Sequence, residues 1–225
     1  MAGPREEIDA LAAECARFTS FLRTLTDDDW TRPTRCTGWD VRDVLVHMTA
    51  MMKYVAETCR RPFLDTVPNK DRLGWWDYDI EQDQKQGAAW VAEARARYPA
   101  GSIFARWAAA VDAAVRAARE ALSTGDPVVQ PGEQPILLTE YLATRVLEMT
   151  IHGMDVREAL GAGADPSPEG LAVTNGILAG LLGAEPGAYG FDPVGFPDAA
   201  TGRRPLAAGE VERLGALADR FPLLA

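Results

Sequence analysis

The chain has 225 residues, of which 47% are hydrophobic and 25% charged, a composition that predicts one folded domain with a sizeable core and argues against a disordered or fibrous protein. Its formal net charge is −10, from 33 acidic and 23 basic residues. This balance argues against a protein that coats nucleic acid or a membrane surface, because both partners require clustered Lys and Arg.

Helical periodicity marks the first part of the chain. Apolar residues at i, i+3, i+4 and i+7 spacing predict an amphipathic helix over residues 5 to 25. Thr37, with Asp40 three residues later, predicts the N-terminal cap of a second helix. Residues 60 to 82 hold two prolines and no lasting period, so we predict a long loop there.

Further helices are predicted in the second part of the chain. Residues 83 to 123 are Ala-rich and predict two helices, or one kinked helix, with an interruption near Pro99. Residues 135 to 161 and 168 to 183 each begin with Pro and end with Gly, as helices often do. After residue 183 Gly and Pro are frequent, and only residues 207 to 219 predict another short helix. No segment alternates strictly enough to predict a strand. The fold class that follows is all-α, a helical bundle with four long helices and additional C-terminal ones.

Targeting signals and cysteines also limit the function. No stretch approaches the roughly 18 apolar residues of a membrane span. The start, MAGPREEIDA, lacks the basic-then-apolar order of a signal peptide, so we expect a cytoplasmic protein. Cys15, Cys36 and Cys59 are odd in number and contain no C-x-x-C pair, which predicts three reduced thiols.

A polar stripe follows one predicted helix, in the segment RVLEMTIHGMDVREALG. Arg145, Glu148, His152 and Asp155 recur there every three or four positions. Glu148 and His152, four apart, point about 40° apart around a helix, so both side chains can hold one ion. The stripe has a second interpretation, the solvated face of an amphipathic helix with an Arg145–Glu148 ion pair.

The other histidine of the chain, His47, lies on the second predicted helix. If the two helices pack side by side, His47, Glu148 and His152 present two imidazoles and a carboxylate inside the bundle. Three protein ligands leave an open position, as in a catalytic metal site. Asp43 and Asp155 are placed to accept the remaining imidazole N–H groups of the two histidines.

Two motifs resemble a known family. PTRCTGWDVRDVLVHMTA and RVLEMTIHGMDVREALG are similar to the two motifs of DinB-like proteins of the mycothiol-dependent maleylpyruvate isomerase type. The resemblance covers about residues 5 to 185. It implies a DinB-like four-helix bundle over residues 1–185, with residues 186–225 as a C-terminal extension packed on the same domain.

The resemblance also implies the chemistry. His47, Glu148 and His152 would bind a divalent metal, usually zinc, with Fe²⁺, Ni²⁺ and Mn²⁺ as alternatives. Asp155 would support His152, and Arg145 belongs to the motif in a structural or supporting role. The activity implied is that of a transferase or isomerase in which mycothiol is the thiol cosubstrate. The isomerase itself has a further C-terminal domain, whereas about 40 residues remain here, so we do not expect maleylpyruvate isomerisation itself.

Two other functions stay open at this point: a hydrolase that activates water at the same three residues, and a non-enzymatic metal-binding helical module. The expected partners are a small-molecule substrate and a thiol, with no nucleic acid and no membrane, and the chain is expected as a monomer or homodimer.

Trp39 is expected to serve packing alone. Trp75 and Trp76 are expected either to line a substrate pocket or to belong to a small secondary apolar cluster. Arg203 and Arg204 are expected in a solvated turn, and the alternative is that one of them binds an acidic substrate.

Overall fold

The computed structural model of the protein describes residues 5–77, 87, 89, 91–93, 95–96 and 102–224. Helices dominate these residues, and a two-stranded antiparallel hairpin is the only sheet among them. The described residues include the α-helices α1 (Glu6–Leu22), α2 (Val41–Arg60), α3 (Ile103–Ala121), α4 (Leu138–Ala159), α5 (Pro168–Leu182), α6 (Gly195–Ala200) and α7 (Ala208–Leu214). The strands are β1 (Val128–Val129) and β2 (Ile136–Leu137). The predicted all-α fold class is confirmed.

The first four of these helices enclose the main core. α1 and α2 each pack against both α3 and α4. Trp107 of α3 is fully buried, and its Nε1 donates a hydrogen bond to Thr19 Oγ1 at 2.8 Å. Phe18 meets the Trp107 ring edge-on, with 5.7 Å between ring centroids. The bundle therefore brings α2 and α4, the two helices that carry the histidines, into contact.

The start of α2 differs from the sequence prediction. Asp40, not Thr37, is the N-cap: its Oδ1 accepts a hydrogen bond from the Asp43 backbone at 2.9 Å, and Asp43 Oδ2 accepts one from the Asp40 backbone at 3.0 Å. The predicted cap at Thr37 is wrong because the residues between Pro33 and Asp40 form a tight loop. Pro33 pairs with Asp40 across that loop, and Gly38 adopts a φ of +82° that favours glycine.

The start of α4 also differs. β2 occupies positions where the sequence predicted a helix, and α4 begins only at Leu138. The Asp126 carboxylate accepts hydrogen bonds from the backbone N–H and the hydroxyl of Thr139, at 3.0 and 2.6 Å, and so satisfies the first turn. The hairpin was missed because strands of two residues are too short for alternation to show.

The remaining predictions divide into three cases. Most of residues 83–101, including the predicted interruption near Pro99, lies outside the described residues, although the described positions from 87 to 96 are helical. The helices predicted over 5–25 and 168–183 are confirmed as α1 and α5. The short helix predicted over residues 207 to 219 is confirmed as α7 followed by a 3-10 helix. The sequence analysis missed α6 because its six residues make fewer than two helical turns.

The C-terminal segment, residues 186–224, covers a second face of α4. Phe191, Phe196 and Leu214 form an apolar cluster with Leu147 and Ile151 of α4. α4 is therefore buried on two sides, against the bundle core and against this segment, which explains why its apolar residues occupy most of its circumference. In the part of the chain that the structure describes, no helix has the length and hydropathy to cross a bilayer.

An ion-pair cluster fixes the loop that follows α2. The Arg72 guanidinium donates to both oxygens of Glu140 on α4, at 2.9 and 2.7 Å, and to Glu7 on α1 at 2.7 Å. Burial alone would raise the pKa of Glu140, but the hydrogen bonds from Arg72 outweigh it and lower the pKa below its usual value. The ionised carboxylate thus helps to hold the loop on the bundle.

We predict a pH-dependent effect of Glu140→Gln. A lowered folded-state pKa gives stability that is present above the unfolded pKa of about 4.3 and is lost as the pH falls through the folded value. At neutral pH the variant should lose about 1 to 3 kcal/mol of unfolding free energy, and this deficit should shrink below about pH 4. Urea titrations across pH measure it. Glu212→Gln, at an exposed site, is the control, and a deficit that does not change with pH would contradict the prediction.

Candidate metal centre

His47, Glu148 and His152 meet at the contact between α2 and α4. His47 Nε2 lies 3.8 Å from Glu148 Oε2, and His152 Nε2 lies 3.3 Å from the same oxygen. The two imidazole rings are 5.0 Å apart between centroids and nearly perpendicular. Glu148 and His152 are one helical turn apart, so α4 alone aligns them, while helix packing supplies His47. The predicted convergence of these three side chains is therefore present in the fold.

The protonation states of His47 and Glu148 suit cation binding. Burial lowers the pKa of His47, which favours the neutral imidazole. Burial would raise the pKa of Glu148, but the neighbouring imidazoles of His152 and His47 outweigh it and hold that pKa well below its usual range. Two imidazole nitrogens thus face an ionised carboxylate, which is a donor set that divalent metals take in proteins.

An unpartnered nitrogen marks the position for an ion. His47 Nε2 is buried and has no hydrogen-bond partner among the described residues, a costly state for a polar atom. Bonds of about 2.1 Å to a tetrahedral ion place ligand atoms about 3.4 Å apart. The Glu148 oxygen lies 3.3 and 3.8 Å from the two imidazole nitrogens. These side chains therefore fit a shared divalent cation.

Two groups hold the His152 ring in place. Asp155 Oδ2 lies 3.2 Å from His152 Nδ1, which leaves Nε2 directed at Glu148. Burial would lower the pKa of His152, but the interactions with Asp155, Cys36 and Glu148 together outweigh it and raise the pKa well above its usual value. The Trp39 ring stacks on His152 at 6.5 Å between centroids and lies 5.3 Å from His47. Trp39 packs against the main core, as expected, and its ring also lies beside both imidazoles.

Asp155 is the most densely bonded side chain of the site. It is fully buried, and the guanidinium groups of Arg35 and Arg203 approach it within 3.0 and 3.1 Å. The Cys36 thiol donates to Asp155 Oδ2 at 3.2 Å. Arg203 therefore does not occupy a solvated turn as predicted. Sequence reasoning missed Arg35 and Cys36 as neighbours of Asp155, because neither shares a helix or a spacing with it.

A second metal-like cluster competes with the first. Cys36, His152 and Asp155 also bring three ligand-type atoms within 4.8 Å. A carboxylate offers about four lone-pair positions, and those of Asp155 already face two guanidinium groups, a thiol and an imidazole. Two adjacent positive charges also disfavour a cation there. We therefore assign the candidate metal centre to His47, Glu148 and His152.

Two other predicted residues lie elsewhere. Asp43 was expected to support His47, but it closes the α2 cap and accepts a hydrogen bond from Arg95 Nε at 2.8 Å, so that prediction is wrong. The Arg145 guanidinium lies over the rings of Trp75 and Tyr141, 5.4 and 5.3 Å from their centroids.

The alternative of a solvated ion-paired face also fails at Arg145. Among the described residues, no ion pair joins it to Glu148, and Arg145 Nη1 instead contacts Met51 Sδ at 3.4 Å. Its positive charge still helps to lower the pKa of Glu148, after the larger effects of burial and the two imidazoles. The aromatic stack makes Trp75 a packing partner of Arg145, and Trp76 packs against the C-terminal cluster.

An open groove adjoins the candidate metal centre. Its volume is about 670 Å³, and its lining residues include His47, Met51, Lys53, Tyr54 and Arg106. Small-molecule sites commonly have volumes of about 300 to 1,000 Å³. The groove thus gives a small molecule access to one of the two imidazoles.

Comparison with known families agrees with this geometry. A family model described as the mycothiol maleylpyruvate isomerase N-terminal domain matches residues 11–157. The chain belongs to this family. The matched residues contain His47, Glu148, His152 and Asp155, but they end before α5 and the C-terminal segment that carries Arg203. No curated protein and no solved structure matched the chain.

We predict that Glu148→Ala and Cys36→Ser will separate the two metal-like clusters. Loss of Glu148 removes a ligand from the proposed centre and should abolish or sharply weaken zinc binding. Cys36→Ser keeps a hydroxyl donor for Asp155 and should leave zinc affinity close to that of the wild type. Competition titration with a chromophoric chelator measures both. A Cys36→Ser protein that loses zinc while Glu148→Ala retains it would place the ion in the other cluster.

Proposed function

We propose that the protein is a metal-dependent enzyme that activates a low-molecular-weight thiol, such as mycothiol, for transfer to a small electrophile or for its isomerisation. The observation that carries the proposal is the buried, unpartnered Nε2 of His47, which faces Glu148 and His152. It lies within the part of the chain that the mycothiol maleylpyruvate isomerase family matches. Zinc is the first choice of ion, and Fe²⁺, Ni²⁺ and Mn²⁺ suit the same donors.

The three side chains each have a role in binding. His47 and Glu148 are poised as a neutral imidazole and an ionised carboxylate, and Asp155 holds the His152 ring so that its Nε2 is presented alongside them. When bound, the ion supplies positive charge that lowers the pKa of a neighbouring thiol. Trp39 places an aromatic ring beside both imidazoles, and this apolar neighbour strengthens the electrostatic interactions between the charged groups.

The properties of the chain's own cysteines favour a reactive thiol that comes from a cosubstrate. Burial raises the pKa of Cys59 to about 12, and it raises that of Cys15 further. Buried thiols of this kind are poor nucleophiles, since the thiolate is the reactive form. The third thiol, Cys36, donates a hydrogen bond to Asp155 Oδ2. The nucleophilic sulfur is therefore expected from a cosubstrate, and the groove beside His47 is the region where we place it.

We predict metal-dependent consumption of mycothiol. The zinc-loaded protein is incubated with mycothiol and a panel of small soft electrophiles, and the loss of free thiol is followed by a colorimetric assay and product mass. The rate should exceed that of metal-stripped protein and should return when zinc is restored. His152→Ala should remain at the stripped rate because it lacks a ligand.

Parallel reactions with esters and amides in the absence of thiol test the hydrolase alternative. Metal-dependent hydrolysis as the only activity would contradict the proposal and favour activation of water. Zinc binding without turnover of any of these substrates would instead favour a non-enzymatic metal-binding module.

Asp155→Asn should retain metal binding with an affinity about 10 to 100-fold weaker, since the Asp155 carboxylate orients a ligand and does not supply one.

A further inference from the structure

Arg203 reaches the candidate metal centre from outside the matched family region. Its Nε donates to Asp155 Oδ1 at 3.2 Å and its Nη2 to Asp155 Oδ2 at 3.1 Å. This two-point contact fixes the plane of the carboxylate, whereas a single charge would only attract it. The third nitrogen, Nη1, donates to the backbone oxygen of Thr201 at 3.0 Å. All three nitrogens of the guanidinium therefore have partners.

The backbone after α6 places Arg203 at this position. The N–H of Arg203 donates to the Asp198 carbonyl at 2.8 Å, which closes a turn at the end of the helix. Gly202 within the turn has a φ of +71°, a conformation that residues with side chains adopt at a cost. The position of Arg203 is thus determined locally by the C-terminal segment and not by α4.

The Asp155 carboxylate needs more than one cation. It is fully buried, and burying an ionised carboxylate is costly unless it is paired and hydrogen-bonded. Arg35 contacts only Oδ1, at 3.0 Å for Nη2 and 3.1 Å for Nε. Arg203 is the cation that also contacts Oδ2, the oxygen that faces His152 Nδ1 at 3.2 Å. Without Arg203, the oxygen that orients the histidine has no guanidinium partner.

We propose that Arg203 is a positioning residue of the candidate metal centre, which acts through Asp155 to hold the His152 ring with Nε2 directed at Glu148 and His47. The inference rests on the proposed function in one respect, namely that these three residues bind a metal. It adds that the C-terminal segment, beyond the residues that the family model matches, completes the centre.

A purely structural role for Arg203 makes a different prediction, and Arg204 provides the matched control. Arg204 is the next residue in the chain and also joins parts of the C-terminal segment, because its guanidinium contacts both oxygens of Glu210 at 2.7 Å. It makes no contact with Asp155 among the described residues. If both arginines only stabilise the segment, Arg203→Gln and Arg204→Gln should lower the thermal midpoint similarly and leave the metal centre unchanged.

The first measurement needs no metal. In the wild-type protein, the proton on His152 Nδ1 should give a downfield NMR resonance that exchanges slowly with water, because it is held by Asp155. Arg203→Gln should weaken or abolish this resonance, and Arg204→Gln should retain it. An unchanged resonance in Arg203→Gln overturns the inference, whether or not the protein binds zinc.

The second measurement is zinc affinity by chelator competition. Arg203→Gln should bind zinc about 10 to 100-fold more weakly than the wild type, as expected when a ligand loses its orienting partner, and Arg204→Gln should bind with wild-type affinity. Should Arg203→Gln fail to fold, Arg203→Lys replaces it, since lysine keeps the charge but loses the two-point contact; its affinity should lie between those expected of the wild type and the glutamine variant. If the folded Arg203 variant binds zinc as tightly as the wild type, the inference is overturned. If the wild-type protein itself does not bind zinc, the result counts against the proposed function. In that case the Nδ1 resonance decides the role of Arg203.

Discussion

The buried carboxylate of Asp155 is the interaction on which the arrangement of this site depends. It joins the loop before α2, the C-terminal half of α4 and the turn after α6, through Arg35, His152 and Arg203. A charge with no exposure to water is stable only when its partners are fixed. The same bonds that satisfy Asp155 therefore attach the C-terminal segment to the bundle and set the direction of the His152 ring.

The site divides its charges between two layers. In the inner layer, Asp155 is balanced by arginines and has no remaining capacity for a cation. In the outer layer, Glu148 faces the imidazole of His47, whose pKa is lowered, and the imidazole of His152, whose Nδ1 is held by Asp155. Because His152 belongs to both layers, with Nδ1 turned to Asp155 and Nε2 to Glu148, it couples the segment that carries Arg203 to the proposed metal ligands.

The sequence predicted the features that depend on local spacing. The helical period located α1, a capping pattern indicated the second helix, and Pro and Gly at its ends located α5. The four-residue interval placed Glu148 and His152 on one face of α4. The approach of His47 required packing between helices, for which the family resemblance supplied the expectation. The bonds of Asp155 could not be predicted, since Arg35 is 120 residues away and Arg203 is 48 residues away in the chain. The cap at Thr37 was wrong because a tight loop, shaped by long-range pairing of the backbone, moved the helix start to Asp40.

The most direct test of this account is a crystal structure of the zinc-loaded protein, with anomalous diffraction recorded on both sides of the zinc absorption edge. The account predicts one strong anomalous peak per chain, within bonding distance of His47 Nε2, His152 Nε2 and a carboxylate oxygen of Glu148, with Asp155 still bonded to Arg203. A peak beside Cys36 and Asp155, or no peak between α2 and α4, would contradict it.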